Sequence, residues 1–218
     1  MSVILYSYFR SSAAYRVRIA LNLKKIDYEI RPIHLLNNGG EQLTADYLKL
    51  NPQGRVPVLV VRNKVLTQSS AIIEYLDEVY PTPALLPANA MARVYVRAVA
   101  QIIACDIHPL NNLRVLNYLK GSVSDEFQHN WRKHWINEGL MAIEQLLQKT
   151  EYKGQFCYGD KPSIADAFLI PQVYNALRFD CPMQGFPLIT AIYENGMRCA
   201  DFAQAAPENQ PDANTNAP

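Results

Sequence analysis

"RSSAAYRVRIAL", Arg10 to Leu21, sets two hydroxyls directly ahead of a run whose apolar residues Val17, Ala20 and Leu21, with Leu23 just beyond, recur at helical spacing. In front of it, "VILYSY" (Val3 to Tyr8) is rich in β-branched and aromatic residues, and behind it "YEIRPI" reads as a second short strand. The stretch is therefore the helix of a β-α-β unit. Further along, "NNGG" (Asn37 to Gly40) interrupts the chain, and a helix is expected over Glu41 to Leu50. "NPQGR" then turns the chain into "VPVLVV", a strand. "RNK" reads as a hairpin turn into "VLTQ", and Ser69 to Val79 as a helix with Ile72, Ile73 and Leu76 facing inward. The order β-α-β-α-β-β-α makes residues 1–83 a small α/β unit.

"YPTPALLP", Tyr80 to Pro87, holds three prolines and cannot continue a helix, so it is the linker. The strand signals stop there, and an all-helical domain is expected over 88–206. One long helix should run from about Ala92 toward Leu119, bent at Pro109. A second should cover Asp125 to Gln148, with Phe127, Trp131, Ile136, Leu140, Ile143 and Leu147 as its apolar stripe. "SIAD", Ser163 to Asp166, reads as a capping box with Asp at the third helical position, a folding signal rather than a chemical one. The polar, Pro-rich residues 207–218 are expected to form a disordered tail.

Composition narrows the function. The chain has 218 residues, 49% of them hydrophobic, and a formal net charge of +1, so it can bury a core but offers no broad basic face for nucleic acid or anionic membrane. It has no apolar stretch of about 18 residues and no charged-then-apolar leader, which points to a soluble cytoplasmic protein. Cys105, Cys157, Cys181 and Cys199 form no C-x-x-C pair, and His129 and His134 are five apart on different faces, so no metal site is expected.

Two further features point to ligand binding. Val56-Pro57 enters a strand from a turn, where a cis bond costs only about 0.5–1 kcal/mol. A cis bond there would turn the Val56 N–H and C=O outward, toward the backbone of an extended peptide. Gln68 and Ser69 open a helix, whose unpaired amides and positive end suit a carboxylate.

Taken together, "YSYFRSSAAYRVRIALNLK", "LNPQGRVPVL", "QSSAIIEYLDEVYPTPALLP", "CDIHPLNNLRVL" and "IADAFLIPQVYNALRF" resemble the zeta class of the glutathione transferase superfamily over nearly the whole chain. The resemblance implies an α/β thioredoxin-like N-terminal domain followed by an all-α domain, a homodimer, and glutathione as cofactor. It implies isomerisation of a maleyl keto diacid: maleylacetoacetate to fumarylacetoacetate in tyrosine and phenylalanine catabolism, or alternatively maleylpyruvate in gentisate catabolism. Transfer of glutathione to α-halo acids is the other alternative. By the same resemblance Ser11, with Ser12 next, is the hydrogen-bond donor to the glutathione sulfur. Gln42, Val56, Pro57, Gln68, Ser69, His108, Asn112, Leu113 and Arg114 surround glutathione, and Arg10, His108, Arg114 and Arg178 receive the substrate, Arg178 with a catalytic role. An Arg suits a diacid because its planar fork grips a carboxylate with two hydrogen bonds.

The family's usual "SSC" motif has Ala13 at its third place here. Ala13 excludes a covalent link to glutathione at this position, and the resemblance implies that the reacting sulfur is the cofactor's. A free thiol of pKa about 8.5 is only about 3% thiolate at pH 7. Lowering it by about two units takes roughly 2.7 kcal/mol. A helix N-terminus supplies about 0.3–1 kcal/mol and a hydrogen bond to a charged group about 1.5–3, so the hydroxyl has to carry most of the effect.

Overall fold

The computed structural model describes residues 2–213, which divide into two compact units: 2–84 with 199–213, and Leu85–Arg198. In the first unit the elements are β1 (Val3–Ser7), α1 (Ser12–Leu23), β2 (Glu29–Pro32), α2 (Ala45–Leu50), β3 (Val58–Val61), β4 (Lys64–Thr67) and α3 (Ser69–Val79). The order is the one expected from the sequence. The four strands form one sheet in the order β2-β1-β3-β4, with β2 parallel to β1, β3 antiparallel to β1, and β4 antiparallel to β3. Arg62 and Asn63 close the β3–β4 hairpin with φ of 50° and 60°, the left-handed pair of a type I′ turn, whose twist matches the strands it joins.

Alternation along β1 sends Val3, Leu5 and Ser7 to the covered face. Leu5 lies opposite Leu59 of β3, and both are fully buried. Helices α1 and α3 pack together. Val17, Ile19 and Leu21 from α1 are buried with Ile72, Ile73 and Leu76 from α3. Burial of α1 extends well beyond its apolar stripe, since Arg16 and Arg18 are buried as well.

The second unit is helical: α4 (Ala90–Gln101), a π-helix (Ile102–Ile107), α5 (Leu113–Leu119), α6 (Asp125–Lys149), α7 (Ile164–Arg178) and α8 (Pro187–Arg198). The single bent helix expected from Ala92 to Leu119 is thus two helices separated by a π-turn and a loop. Proline's ring clashes with the carbonyl four residues back, which for Pro109 is that of Cys105. Upstream of Pro109 the ladder has slipped by one residue, and the His108 N–H donates to Ile103 O at 2.9 Å. Asn112 then caps α5 afresh. Helix α6 packs closely against this π-turn at Gly139, where a Cβ would lie 2.2 Å from Cγ1 of Ile107. The stripe of α6 is buried from Ile136 onward, but Phe127 at its start is exposed. Glu144, also on α6, is buried and accepts from the Leu188 and Ile189 amides, capping α8 from outside that helix. Among the described residues no helix is long and apolar enough to cross a membrane.

Two expectations about the first unit need correction. Residues 41–50 are not one helix: a 3₁₀ turn, Glu41–Leu43, ends where Thr44 caps α2 with its side chain on the Tyr47 N–H. The hydroxyl claims the local backbone, which starts a new helix instead of extending the turn. The chain beyond α8 is the second. Residues 199–213, assigned partly to the helical domain and partly to a disordered tail, belong to the first unit. There α9 (Ala200–Ala203) and a 3₁₀ turn (Pro207–Asn209) lead to buried Gln210 and Asp212. Polar composition misled here because these side chains are spent on buried backbone groups. The Gln210 amide donates to the Gln204 and Ala206 carbonyls, and Asp212 accepts from the Phe9 N–H. The remainder of that expected tail, 214–218, lies outside the described residues.

The capping box at the start of α7 is present. Asp166 is fully buried and accepts from the Ser163 N–H, the Ser163 hydroxyl and the Cys157 N–H, each at 2.8 Å. Asp166→Ala strands these donors, and denaturant titration should show a loss of at least about 2 kcal/mol, with glutathione binding by the folded fraction unchanged. Unaltered stability, or intact stability with lost ligand binding, contradicts a purely structural role.

Candidate functional site

The register of the sheet decides where the first unit's candidate residues meet. Tyr6 of β1 lies opposite Val58 of β3, Val58 opposite Thr67 of β4, and Ser7 opposite Pro32 of β2. The end of β1, the start of β3 and the ends of β4 and β2 therefore share one end of the sheet. The segments that adjoin the strands at that end carry Ser11 and Ser12, Val56-Pro57, Gln68-Ser69, and Gln42. Residues scattered over about sixty positions of sequence emerge at a single edge.

Their local geometry suits a small peptide with free carboxylates. Ser11 is the N-cap of α1, and its Oγ accepts from the Ala14 N–H at 3.2 Å. Capping uses an acceptor lone pair and leaves the hydroxyl proton for another group. Ser12, buried, occupies the first helical position, and Ala13 behind it is half-buried. The Val56-Pro57 bond is cis, as expected, and ladder pairing of β3 begins only at Val58. Gln68 precedes α3 with φ 68°, a left-handed value uncommon for a residue with a side chain, and makes no side-chain cap. Strain of this kind concentrates where a ligand is bound. The first amides of α3 are thus left without a side-chain acceptor, at the positive end of an 11-residue helix. The Gln68 amide is steadied by a 2.6 Å hydrogen bond to Gln53, a partner the sequence did not single out. Gln42 is buried, donates to Leu35 O, and has an Oε1 with no partner among the described residues. A buried acceptor of that kind calls for a donor from a ligand. The residues present fit glutathione.

In the second unit, the π-turn ends at His108, and Asn112 caps α5 by accepting from the Arg114 N–H at 3.2 Å. Leu113 and Arg114 form the first turn of α5, with the Arg114 side chain exposed. Arg178 ends α7, exposed, with its guanidinium 5.2 Å from the Phe179 ring centre. Two adjacent residues of α6 tie these segments together. Trp131 Nε1–H donates to Leu110 O at 2.9 Å, and the Arg132 guanidinium lies 4.9 Å from the same Phe179 ring. The loop carrying His108 to Arg114 and the end of α7 carrying Arg178 are therefore both anchored on one turn of α6. Arg132 was not singled out from the sequence, because its partner Phe179 lies 47 positions away and leaves no local pattern. Arg10, in the first unit, is exposed and lies 4.8 Å from the Phe9 ring centre.

All four cysteines are free thiols. Two are buried: burial pushes the Cys157 thiol well up, and the Cys181 thiol up as well, so neither is suited to act as a thiolate. Cys105 is exposed and Cys199 half-buried. Among the described residues no group of three or more His, Cys, Asp or Glu could hold a metal ion.

Comparison with known proteins agrees with this geometry. Residues 1–78 match the family model of the glutathione S-transferase N-terminal domain. A Vibrio cholerae protein named as a probable maleylacetoacetate isomerase is 52% identical over 98% of this chain and 99% of its own. The holo structure of a maleylpyruvate isomerase, a bacterial glutathione S-transferase in the zeta class, superposes with TM-score 0.93 at 43% identity, over 98% of this chain and 100% of that one. The maleylacetoacetate isomerase of Methylobacterium extorquens AM1, solved with malonate and GSH bound, superposes with TM-score 0.92 at 38% identity, over 96% and 99% of the two chains. With near-full-length identity of this order and the same two-part architecture, the chain belongs to the zeta class of the glutathione transferases, the family of the maleylacetoacetate and maleylpyruvate isomerases.

Proposed function

We propose that this protein is a glutathione-dependent cis–trans isomerase of a maleyl keto diacid, with maleylacetoacetate as first substrate and maleylpyruvate as second. The observation that carries the reading is the gathering of Ser11, Val56 and the uncapped start of α3 at one end of the sheet. It is supported by relatives bearing both names, one of them holding GSH and a dicarboxylate together.

Glutathione, when bound, supplies the thiolate whose addition turns the cis double bond into a single bond free to rotate, and whose expulsion leaves the trans isomer. Ser11 donates its free hydroxyl proton to that sulfur, with Ser12 beside it. Val56 offers its backbone to the peptide, Ser69 and the first amides of α3 receive a carboxylate, and Gln68 and Gln42 complete the surround. The family resemblance also assigns His108, Asn112, Leu113 and Arg114 of the second unit to the cofactor. The same resemblance assigns Arg10, His108, Arg114 and Arg178 to the substrate, where a guanidinium balances the charge of a carboxylate.

The enzyme is read as a cytoplasmic homodimer with no nucleic acid or membrane partner. Met91 and Val94, 71% and 59% exposed and three apart on α4, support a face made for a second copy.

Isomerisation of both diacids, followed by absorbance with and without glutathione, tests the reading directly; full-speed turnover without the tripeptide overturns it. Ser11→Ala removes a charge-assisted hydrogen bond of about 1.5–3 kcal/mol. It should lower kcat/KM by about 10- to 150-fold and raise the pH at which bound glutathione ionises. Arg178→Ala should cost about tenfold or more on the diacids and little on a neutral electrophile; equal losses on both assign it to the fold. Sedimentation should find a dimer, and Met91→Glu with Val94→Glu should shift it to monomer.

A further inference from the structure

The turn that delivers Ser11 is held by the far end of the chain. Between β1 and α1, Tyr8 to Ser11 forms a tight turn closed by the Ser11 N–H on Tyr8 O at 2.9 Å. Phe9, the first residue within that turn, is buried, so both of its backbone polar groups need partners. Its carbonyl accepts from Arg18 Nη2 at 3.1 Å. Its N–H donates to Asp212 Oδ2 at 2.9 Å, across 203 positions of sequence. Asp212 is itself buried, and Ala213 next to it packs on the cluster of Tyr8, Phe9, Tyr47, Val56 and Val58. That cluster includes Val56, on the cofactor side of the sheet end. Asp212 is delivered by a built segment: Gln210 holds the Gln204 and Ala206 carbonyls, and the Ala213 N–H closes on Gln210 O.

We propose that Asp212 is a positioning residue for Ser11: by accepting from the Phe9 N–H it fixes the turn whose next-but-one residue aims a hydroxyl at the cofactor sulfur. Arg10, between the two, is aimed by the same turn, its guanidinium resting on the Phe9 ring. Asp212 itself touches neither cofactor nor substrate. Its influence passes through the backbone of Phe9, and a hydroxyl misplaced by about 1 Å is enough to lose the effect. The inference rests on the reading of Ser11 as the donor to the glutathione sulfur.

The test compares Asp212→Ala, which removes the acceptor, with Asp212→Asn, which keeps an acceptor oxygen and removes the charge. In the free protein, amide exchange of Phe9 should accelerate in the Ala variant and stay slow in the Asn variant. With glutathione bound, the ultraviolet absorbance of the thiolate should titrate at higher pH in the Ala variant, and kcat should fall about tenfold or more with KM changed much less. The Asn variant should recover most of both. In a Ser11→Ala background, Asp212→Ala should add almost nothing to the thiol shift, because the two act on one bond. An Ala variant that loses thermal stability but titrates its thiol like the unaltered protein overturns the proposal, as does an Asn variant no better than Ala. If Ser11→Ala alone leaves the thiol titration unmoved, the functional reading fails instead, and the Phe9 exchange still reports whether Asp212 holds the turn.

Discussion

The guanidinium of Arg18 has no surface in water, and the first unit is organised around it. It donates to the Ala205 carbonyl at 2.8 Å, the Ser7 hydroxyl at 3.0 Å and the Phe9 carbonyl at 3.1 Å. Burial draws its pKa down to about 10, opposed in decreasing order by Tyr28, Tyr15, Asp212 and Glu208. A buried cation is tolerated only when its donors are matched by acceptors and counter-charge. Those partners are the end of β1, the turn before α1, and the returning segment 199–213. One side chain thus obliges the two ends of the sequence to fold together, and the functional turn lies between them.

A second constraint is the mixed sheet. Had β3 and β4 run the other way, Val56 and the start of α3 would stand at the opposite end from Ser11. Antiparallel pairing of β3 with both neighbours instead brings the uncapped start of α3, the backbone of Val56 and the Ser11 hydroxyl to one rim. The three are weak signals singly: a serine at a helix start is most often only a cap, and Ser11 is also a cap. Convergence gives them meaning, because a hydroxyl, an unpaired stretch of backbone and an uncapped helix start are brought to one rim.

Ala13 fits the same logic. A methyl group stands in the place of a thiol at the start of α1, and the two most buried cysteines are held away from ionisation by desolvation. The sulfur chemistry is wholly borrowed.

Local patterns were legible in the sequence. The order of strands and helices in 1–83, the inward face of α3, the hairpin turn, the cis bond before β3 and the capping box of α7 each depend on residues within a few positions of one another, where periodicity and turn chemistry act directly. The pieces that sequence missed depend on partners far away. Asp212 meeting Phe9, Glu144 capping α8, Gln53 steadying Gln68, and the burial of Arg16 and Arg18 leave no periodic trace, since a polar side chain spent on a distant backbone group looks the same in sequence as one spent on water. Pro109 is intermediate: its disruption of the helix was readable, but the slip to π-geometry and the fresh cap at Asn112 were not. Sequence alone determined the order of strands and main helices in 1–83 and which residues carry groups chemically suited to a tripeptide and a diacid. Tertiary structure decided which of them share an edge, because strand direction and long-range hydrogen bonds are settled only when the chain closes on itself.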